Sequence, residues 1–410
     1  MTDFDEVIDR RGTACLKWDF AEQRGRPADA LPLWVADMDH ATAAPIIEAL
    51  HERVETGIFG YTDRDEAYDR ALVGWFERRY GWHVEAKWNV VAPGVVPALA
   101  VAVQAYTEPG DPVLIEEPVY YPFRGVIEAN GRKVVSVPLV RKADGTYGRD
   151  LAAVEQAVRE HDVGLMLLCN PHNPVGHLWS RQELAELADL AIAREMKVVS
   201  DEIHADLTYP GHAATPFASL SPQAADLTIA CTSPSKAFNL AGLQLANILI
   251  PNALLRSEFR KALLRFGYSQ PSALGAVACR AAYESGDAWL DALREHMAAN
   301  RTYVVERLAG IEGIDAVDQQ ATYLMWLDCC GLIERLGIDA GDLDVFFTQQ
   351  AKLWLDDGLM FGEPGRGYTR LNIACPRATL KAAFDRLDAA VAGVPTVSAT
   401  TQTGPVTQGE

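Results

Sequence analysis

The chain has few positive charges, few cysteines and no long hydrophobic run. Its 37 Lys and Arg residues are outnumbered by 56 Asp and Glu residues, and the formal net charge is −19. This acidity argues against binding to nucleic acids or anionic membranes. The longest apolar stretch, residues 90–103, carries Pro93, Gly94 and Pro97 and is too short to span a bilayer. We therefore predict no nucleic-acid partner and no membrane partner.

The seven cysteines show no C-x-x-C spacing. Free thiols are expected from this pattern, and neither a disulfide framework nor a metal site is predicted. The first six residues, MTDFDE, are acidic and contain no apolar run, so no signal peptide is expected. Together these features predict a cytoplasmic protein.

Apolar runs that read as buried strands alternate with helical patterns from about residue 89. Buried strands separated by helices are typical of a mainly parallel sheet covered on both faces. A second, smaller α/β unit is predicted over about residues 310–390. The predicted strands lie at residues 112–116, 163–169, 196–200, 227–232 and 245–250, and helices are predicted at residues 181–195, 252–266 and 287–308.

Three motifs occur in order along the chain beside predicted strand ends. They are NPHNPVG at residues 170–176, SDEIH at residues 200–204 and SPSKAFN at residues 233–239. Pyridoxal phosphate (PLP) needs a lysine amine, a carboxylate for its ring nitrogen, and donors for its phenolate oxygen and its phosphate. The three motifs supply all of these groups. They predict a PLP site with Lys236 as the attachment point, although a lone lysine is usually a surface residue.

The polar side chains of these motifs have candidate roles. Asp201 follows a strand at the sheet edge where open α/β sheets bind ligands, and it can pair with a protonated ring nitrogen. Asn173 and His204 can donate to the phenolate oxygen of the cofactor. Taken singly, each also has a structural interpretation: a solvated acid or helix cap, a turn residue, and a structural histidine.

Two further sites are predicted for anionic groups. Residues 91–97 end a strand and open a helix, where free amides at Gly94, Val95 and Val96 can bind phosphate. Ser233 and Ser235 offer hydroxyls to the same phosphate. Arg370 begins an apolar run and can hold an α-carboxylate through paired hydrogen bonds, although a surface arginine is the simpler interpretation.

The motifs resemble those of fold-type I PLP enzymes, the aspartate aminotransferase superfamily, over residues 30–385. Within it they look like the MalY/PatB-type cystathionine β-lyases, on the evidence of PLWVADMD at residues 32–39, PGVVPAL at residues 93–99 and KAFNLAGLQ at residues 236–244. Two positions depart from the aminotransferase pattern and occur in this lyase subgroup. They are His204, where aminotransferases usually carry Tyr, and Gln244, where they usually carry an arginine that binds phosphate.

The resemblance implies a large PLP-binding domain with a mainly parallel, seven-stranded sheet between helices, and a smaller α/β domain. It places an N-terminal segment at residues 1–45, which contributes to the small domain and the substrate site. The large domain spans residues 46–290, the small C-terminal domain residues 291–392, and a disordered tail residues 393–410. The tail is predicted from its composition, which is rich in Thr, Gln, Gly and Pro.

The resemblance also implies further roles. Lys236 would form a Schiff base with PLP and act as the catalytic base, and Tyr120 would stack on the ring. Ala36 and Asn173 would join Arg370 in substrate binding. Tyr61 would reach the phosphate of a partner subunit's cofactor in a homodimer with composite sites. The alternative for Tyr61 is a core aromatic of its own subunit.

The predicted activity is α,β-elimination from cystathionine or a related cysteine S-conjugate, an amino-acid thioether, to give pyruvate, ammonia and a thiol. Lys236 removes the Cα proton in this reaction. An aminotransferase shares every step up to the carbanion and stays open as an alternative. A regulatory binding protein with residual lyase activity is the other.

Overall fold

The computed structural model describes residues 3–392. The fifteen strands are β1 Leu31–Pro32, β2 Asn89–Ala92, β3 Pro112–Glu117, β4 Lys133–Pro138, β5 Val140–Arg141, β6 Tyr147–Gly148, β7 Leu165–Cys169, β8 Lys197–Asp201, β9 Thr228–Thr232, β10 Ala246–Leu249, β11 Asp315–Ala316, β12 Leu324–Asp328, β13 Leu353–Trp354, β14 Asp356–Asp357 and β15 Tyr368–Asn372. The predicted strands thus agree with the observed ones to within two residues at each end.

The fourteen α-helices of the described residues are α1 Ala44–Glu55, α2 Glu66–Tyr80, α3 Val95–Tyr106, α4 Pro122–Ala129, α5 Leu151–His161, α6 Arg181–Ala193, α7 Pro222–Asp226, α8 Pro234–Ala237, α9 Ala253–Arg265, α10 Ala273–Ser285, α11 Asp287–Leu308, α12 Cys330–Leu336, α13 Leu343–Val345 and α14 Arg377–Ala392. Local sequence explains several starts. Ser180 caps α6 in a reciprocal pair with Glu183, and Asn252 caps α9. None of these helices is both long enough and apolar enough to cross a lipid bilayer.

The central sheet has seven strands in the order β2-β10-β9-β8-β7-β3-β4. All neighbouring strands are parallel except β10, which is antiparallel to β2 and to β9. Helices cover both faces, as the alternation along β7 shows. Leu165, Leu167 and Cys169 pack with α3, α4 and α9, whereas Met166 and Leu168 pack with α5 and α6. The predicted α/β class with a mainly parallel seven-stranded sheet is confirmed.

A second, smaller sheet has four antiparallel strands in the order β11-β12-β15-β14. The N-terminal segment reaches this part of the molecule, because β1 pairs in parallel with β13. The boundaries at residues 45/46 and 290/291 stay predictions. The predicted tail, residues 393–410, lies outside the described residues.

Candidate functional site

A cavity of about 190 Å³ lies at the carboxyl ends of the central strands. In this fold class the loops at that edge carry the ligand site. The cavity contains most of the predicted site residues. Its lining consists of Ala36, Pro93, Gly94, Val95, Val96, Pro97, Tyr120, Cys169, Asn173, Asp201, Ile203, His204, Ser235, Lys236, Ala241, Gln244 and Leu245.

Lys236 extends into this cavity from the short helix α8, and its Nζ donates to the carbonyl oxygen of Ala36 at 2.5 Å. Burial lowers the pKa of Lys236 to about 8. The carboxylate of Asp37 opposes that shift, and the positive charge of Arg370 adds to it. The amine therefore loses its proton much more readily than a surface lysine does. A neutral amine near pH 8 is a nucleophile and a base.

Asp201 ends strand β8 and is buried, and its Oδ1 accepts a hydrogen bond from the Ile203 amide at 3.1 Å. Burial raises the pKa of Asp201 to about 7, although the Ile203 amide and the positive charge of Lys236 both oppose the shift. A carboxylate that ionises only reluctantly is stabilised by a cation placed beside it. A protonated pyridine nitrogen is such a cation.

Asn173 and His204 present nitrogen donors to the same cavity. The Oδ1 of Asn173 accepts a hydrogen bond from Arg370 at 2.9 Å, which leaves the Asn173 amide NH₂ for another acceptor. Burial lowers the pKa of His204 to about 3, and the charges of Lys236 and Arg370 add to this effect. His204 is therefore a neutral imidazole at working pH, and its Nδ1 has no partner among the described residues.

The phosphate end of the cavity is formed by the start of α3. Helix α3 begins at Val95, after the extended residue Gly94; its first residues line the cavity, and no side chain of residues 3–392 caps its start. A helix start of this kind favours an anion. Ser235 lines the cavity, whereas Ser233 does not. The Ser233 hydroxyl instead donates to the Leu245 carbonyl at 2.6 Å, so its predicted role with phosphate gains no support from this arrangement.

Arg370 is fully buried, with 2% of its surface exposed, so the surface interpretation is wrong. It lies on β15 behind Asn173 and forms an ion pair with Asp356 on the neighbouring strand β14. Its guanidinium also donates to the Trp34 carbonyl at 3.2 Å and lies 4.8 Å from the ring centre of Phe361. The arginine is thus held rigidly beside the cavity.

The loop at residues 34–40 is fixed from several sides. Asn239, three residues after Lys236, accepts from the Met38 amide and donates to its carbonyl, both at 3.0 Å. Asn372 donates to the carbonyls of Val35 and Asp37 at 2.7 Å each. The Ala36 amide donates to no acceptor within residues 3–392. An amide held in place without a partner is suited to a substrate carboxylate.

Tyr61 is not in the cavity of its own chain. It is 98% exposed and lies in the segment between α1 and α2, next to Phe59, which is 58% exposed. The alternative of a core aromatic is therefore wrong. Tyr61 lines an open groove together with residues 267–274.

Comparison with known proteins gives this geometry a context. The model of the family "Aminotransferase class I and II" matches residues 29–387. The chain belongs to this family. It is 42% identical to cystathionine beta-lyase PatB of Bacillus subtilis (strain 168), over 95% of this chain and 99% of that protein. It is 36% identical to protein MalY of Escherichia coli (strain K12), over 93% and 96%. The predicted resemblance is confirmed.

Solved structures of related enzymes are similar to this chain over nearly their whole length. Cystalysin from Treponema denticola, whose structure contains pyridoxal 5'-phosphate, superimposes with a TM-score of 0.90 at 34% identity and covers 96% of this chain and 99% of its own. The PLP-bound C-S lyase from Staphylococcus hominis has a TM-score of 0.89 at 32% identity, over 95% and 98%. Both similarities extend over the whole aminotransferase fold.

The cavity residues of this aminotransferase-family chain fit PLP. An amine, a buried carboxylate, an amide donor and a helix start line one cavity, and these are the groups that the cofactor requires. His204 lines the same cavity and is a neutral imidazole, so it adds a polar side chain to the set. Tyr120, partly buried at the cavity wall, offers an aromatic face to a ring.

Sequence reasoning missed Asp356, Asn239 and the hydroxyl of Tyr323, which donates to Ala36 at 3.1 Å. Asn239 lies inside a motif quoted for the resemblance, so its position was a usable signal. Asp356 follows the apolar residues 353–355, where an acid in a buried strand needs a cationic partner. The residues around Asp356 in the sequence do not indicate that its cationic partner is Arg370.

Proposed function

We propose that this protein is a PLP-dependent carbon–sulfur β-lyase. It cleaves cystathionine or a related cysteine S-conjugate, with one water, into a thiol, pyruvate and ammonia. The observation that carries the proposal is the single cavity in which Lys236, Asp201 and the start of α3 meet. The choice of elimination over amino transfer rests on the similarity to PatB over 95% of the chain.

The cofactor would be held at both of its ends and on its ring. Lys236 is the proposed covalent attachment point, and Asp201 would pair with the ring nitrogen. Tyr120 would stack on the ring, while Asn173 and His204 would donate to the phenolate oxygen. The amides at Gly94, Val95 and Val96, with Ser235, would bind the phosphate. PLP, when bound, supplies an electron sink for the negative charge that develops at Cα of an amino acid.

The proton at Cα is moved by Lys236. Its pKa of about 8 leaves a useful fraction of neutral amine at physiological pH. In this structure the amine donates to the carbonyl of Ala36 at 2.5 Å, so Nζ lies beside the loop that is proposed to bind the substrate carboxylate. After taking the Cα proton, the same amine can protonate the departing sulfur, so that one side chain serves both proton transfers.

The α-carboxylate of the substrate is assigned to Arg370 and the Ala36 amide. Arg370 lies behind Asn173, whose side chain it contacts at 2.9 Å. The Ala36 amide has no acceptor among the described residues. Together they offer a charged donor and a neutral donor to one carboxylate, which fixes the Cα–H bond relative to Lys236.

End-product analysis tests the activity. Purified holoenzyme with cystathionine, or with an S-alkyl cysteine, should release pyruvate, ammonia and thiol in equal amounts without any keto acid. The matched control is Lys236→Ala, which should release none of them. A strict requirement for a keto acid, with formation of a new amino acid, would establish the aminotransferase alternative instead.

We also propose a homodimer with composite sites, in which Tyr61 donates to the phosphate in the partner subunit. The segment around Tyr61 exposes three large apolar side chains, Ile58 at 70%, Phe59 at 58% and Tyr61 at 98%. Phe266, 52% exposed, adds to the apolar surface near the groove that Tyr61 lines. Adjacent exposed apolar groups of this kind favour burial against a second copy. A tyrosine hydroxyl delivered there would compensate for Gln244, which is uncharged.

Subunit mixing tests the composite site. Inactive Tyr61→Ala is combined with inactive Lys236→Ala under conditions that exchange subunits. If Tyr61 acts on the partner, one site of the mixed dimer carries both defects and the other carries none, so activity should return. No recovery despite demonstrated exchange, or a fully active monomer, would contradict the proposal.

For location we propose the cytoplasm. All seven cysteines are free thiols, five of them buried, as expected for a protein in a reducing compartment. Cell fractionation with an antibody against the chain measures this directly. Enrichment in an oxidising compartment would contradict it.

A further inference from the structure

Asp356 is an acidic residue in direct contact with Arg370, the charged member of the proposed carboxylate site. It lies directly opposite Arg370 on the adjacent antiparallel strand, and the two side chains form an ion pair. Both are buried, with 3% of Asp356 and 2% of Arg370 exposed. The resemblance assigned no role to Asp356. A second anion is thus built into the place where the substrate's own anion is expected.

The hydrogen bonds of Arg370 are largely used by protein groups. One terminal nitrogen donates to Asn173, and the other donates to both Asp356 and the Trp34 carbonyl. Its Nε has no partner within residues 3–392. A guanidinium binds a carboxylate best through two parallel N–H groups. Here one of its two terminal nitrogens already serves Asp356.

The charge of Asp356 also reaches the substrate side of the cavity. After burial, which is the largest cause for both groups, it helps to raise the pKa of Tyr121 and, as the last of several causes, that of Tyr120. In a buried site two carboxylates that share one arginine repel each other, because little water screens them. The substrate carboxylate therefore meets a cation whose charge is already compensated.

We propose that Asp356 is a specificity-determining residue, because it competes with the substrate's α-carboxylate for Arg370 and thereby weakens carboxylate recognition. This inference rests on the proposed function only in taking Arg370 as the carboxylate-binding residue. Asp356 also holds the arginine in place when the site is empty. The substrate carboxylate therefore binds less tightly than it would to an arginine without an acidic partner.

The test is the equilibrium binding of L-alanine and L-alaninamide to holoenzyme, measured by titration calorimetry. Neither ligand has a β-leaving group, and they differ in the carboxylate. Asp356→Asn keeps a hydrogen-bond acceptor for Arg370 and removes the charge. It should bind alanine about tenfold more tightly than the wild type, with alaninamide unchanged, because one competing charge–charge contact is lost.

The matched control is Asp357→Asn, the same change one residue along β14. Asp357 is half-buried and caps the turn at Leu359, a role that asparagine can also fill. It should leave the binding of both ligands unchanged. Equal or weaker alanine binding by a folded Asp356→Asn protein, or equal gains for alanine and alaninamide, would overturn the proposal.

A wild-type measurement keeps the proposal testable if the variant does not fold. With Asp356 in place, alanine should bind at most about tenfold more tightly than alaninamide, which is less than an uncompensated arginine would provide. A preference of a hundredfold or more would overturn the proposal. Failure of the lyase assignment is seen separately, in the requirement for a keto acid, and does not alter these equilibrium constants.

Discussion

Two groups of buried or half-buried charges are built in opposite ways. In the N-terminal charge cluster, formed by Arg10, Lys17, Asp37 and Asp39, every acid has a cation. Lys17 is completely buried and contacts Asp39 at 2.8 Å, and Arg10 contacts Asp37 at 2.7 Å and Asp39 at 2.8 Å. In the cavity, Lys236 and Asp201 form no direct ion pair with any of residues 3–392. Each charge of the N-terminal charge cluster is thus paired with an opposite charge, whereas Lys236 and Asp201 are not paired in this way.

The pKa values show what this difference does. Burial alone would raise the pKa of Asp39, but Lys17 and its other donors outweigh burial and lower it. In the cavity burial prevails. It lowers the pKa of Lys236 to about 8 and raises that of Asp201 to about 7. Charges paired with an opposite charge stay charged and hold the structure, whereas Lys236 and Asp201 are ready to exchange protons or to accept a cofactor.

The largest effect is expected when the cavity loses its amine. Lys236→Ala should reduce turnover at least about a thousandfold, because a positioned base contributes that order of rate by itself. It should leave the fold intact, since Lys236 forms no ion pair within the described part of the chain. Steady-state assays and thermal unfolding measure the two effects. The bond between cofactor and lysine in wild-type holoenzyme can be fixed by chemical reduction and located by mass spectrometry. Finding the cofactor on a different lysine would contradict the assignment.

The opposite pattern is expected in the cluster. Lys17→Met leaves the buried Asp39 with one cation fewer, and breaking a buried pair from one side costs about 3–5 kcal/mol of unfolding free energy. Denaturant unfolding of the apoprotein measures this loss. A loss below about 1 kcal/mol would be small against the expected loss of about 3–5 kcal/mol. It would show that the ion pairs of the cluster do not stabilise the fold and would contradict the comparison.

The pH dependence of stability should have opposite signs in the two groups. Because the folded pKa of Asp201 is raised from 3.8 to about 7, the apoprotein loses stability as pH rises from about 4 to 7. Asp201→Asn should therefore make the apoprotein more stable than wild type at pH 8, by a few kcal/mol. The difference should vanish near pH 4.

Asp39→Asn is the matched control for that experiment. The folded pKa of Asp39 is lowered, so its stabilising contribution is present above about pH 4 and is lost on acidification. This variant should be less stable than wild type at pH 8. Thermal unfolding of both variants across pH gives the two signs, and equal signs would remove the distinction between the groups.

The smallest effect is expected at Arg370, which shares one feature with the N-terminal charge cluster and another with the cavity. It is paired with Asp356 like a cluster residue, yet its Nε is without a partner among the described residues, like a cavity group. Arg370→Ala should raise KM about tenfold and leave the cofactor bound, because the lost charge-assisted contact is one that Asp356 already weakens. It should also lower stability, because Asp356 loses its partner. Unchanged KM would place the substrate carboxylate elsewhere.

The sequence by itself determined the fold class and most of the cavity. Short apolar runs that alternate with helical patterns, such as residues 163–169, favour central strands between helix layers, and the residues that follow such strands meet at one edge. Asp201 and the start of α3 were therefore predictable from strand ends. Lys236 was predictable from its motif together with the two motifs upstream, because the three supply the amine, the carboxylate and the donors that PLP needs.

Only the tertiary structure decided which side chains meet across the chain. Lys236 contacts Ala36 from 200 residues away, and Arg370 contacts Asn173 from 197 residues away. The pairing of Asp356 with Arg370 depends on strand register, and the exposure of Tyr61 depends on what the folded chain leaves uncovered. Local pattern fixes secondary structure through periodicity. Partner choice between distant charges is set by burial and register, which exist only once the chain has folded.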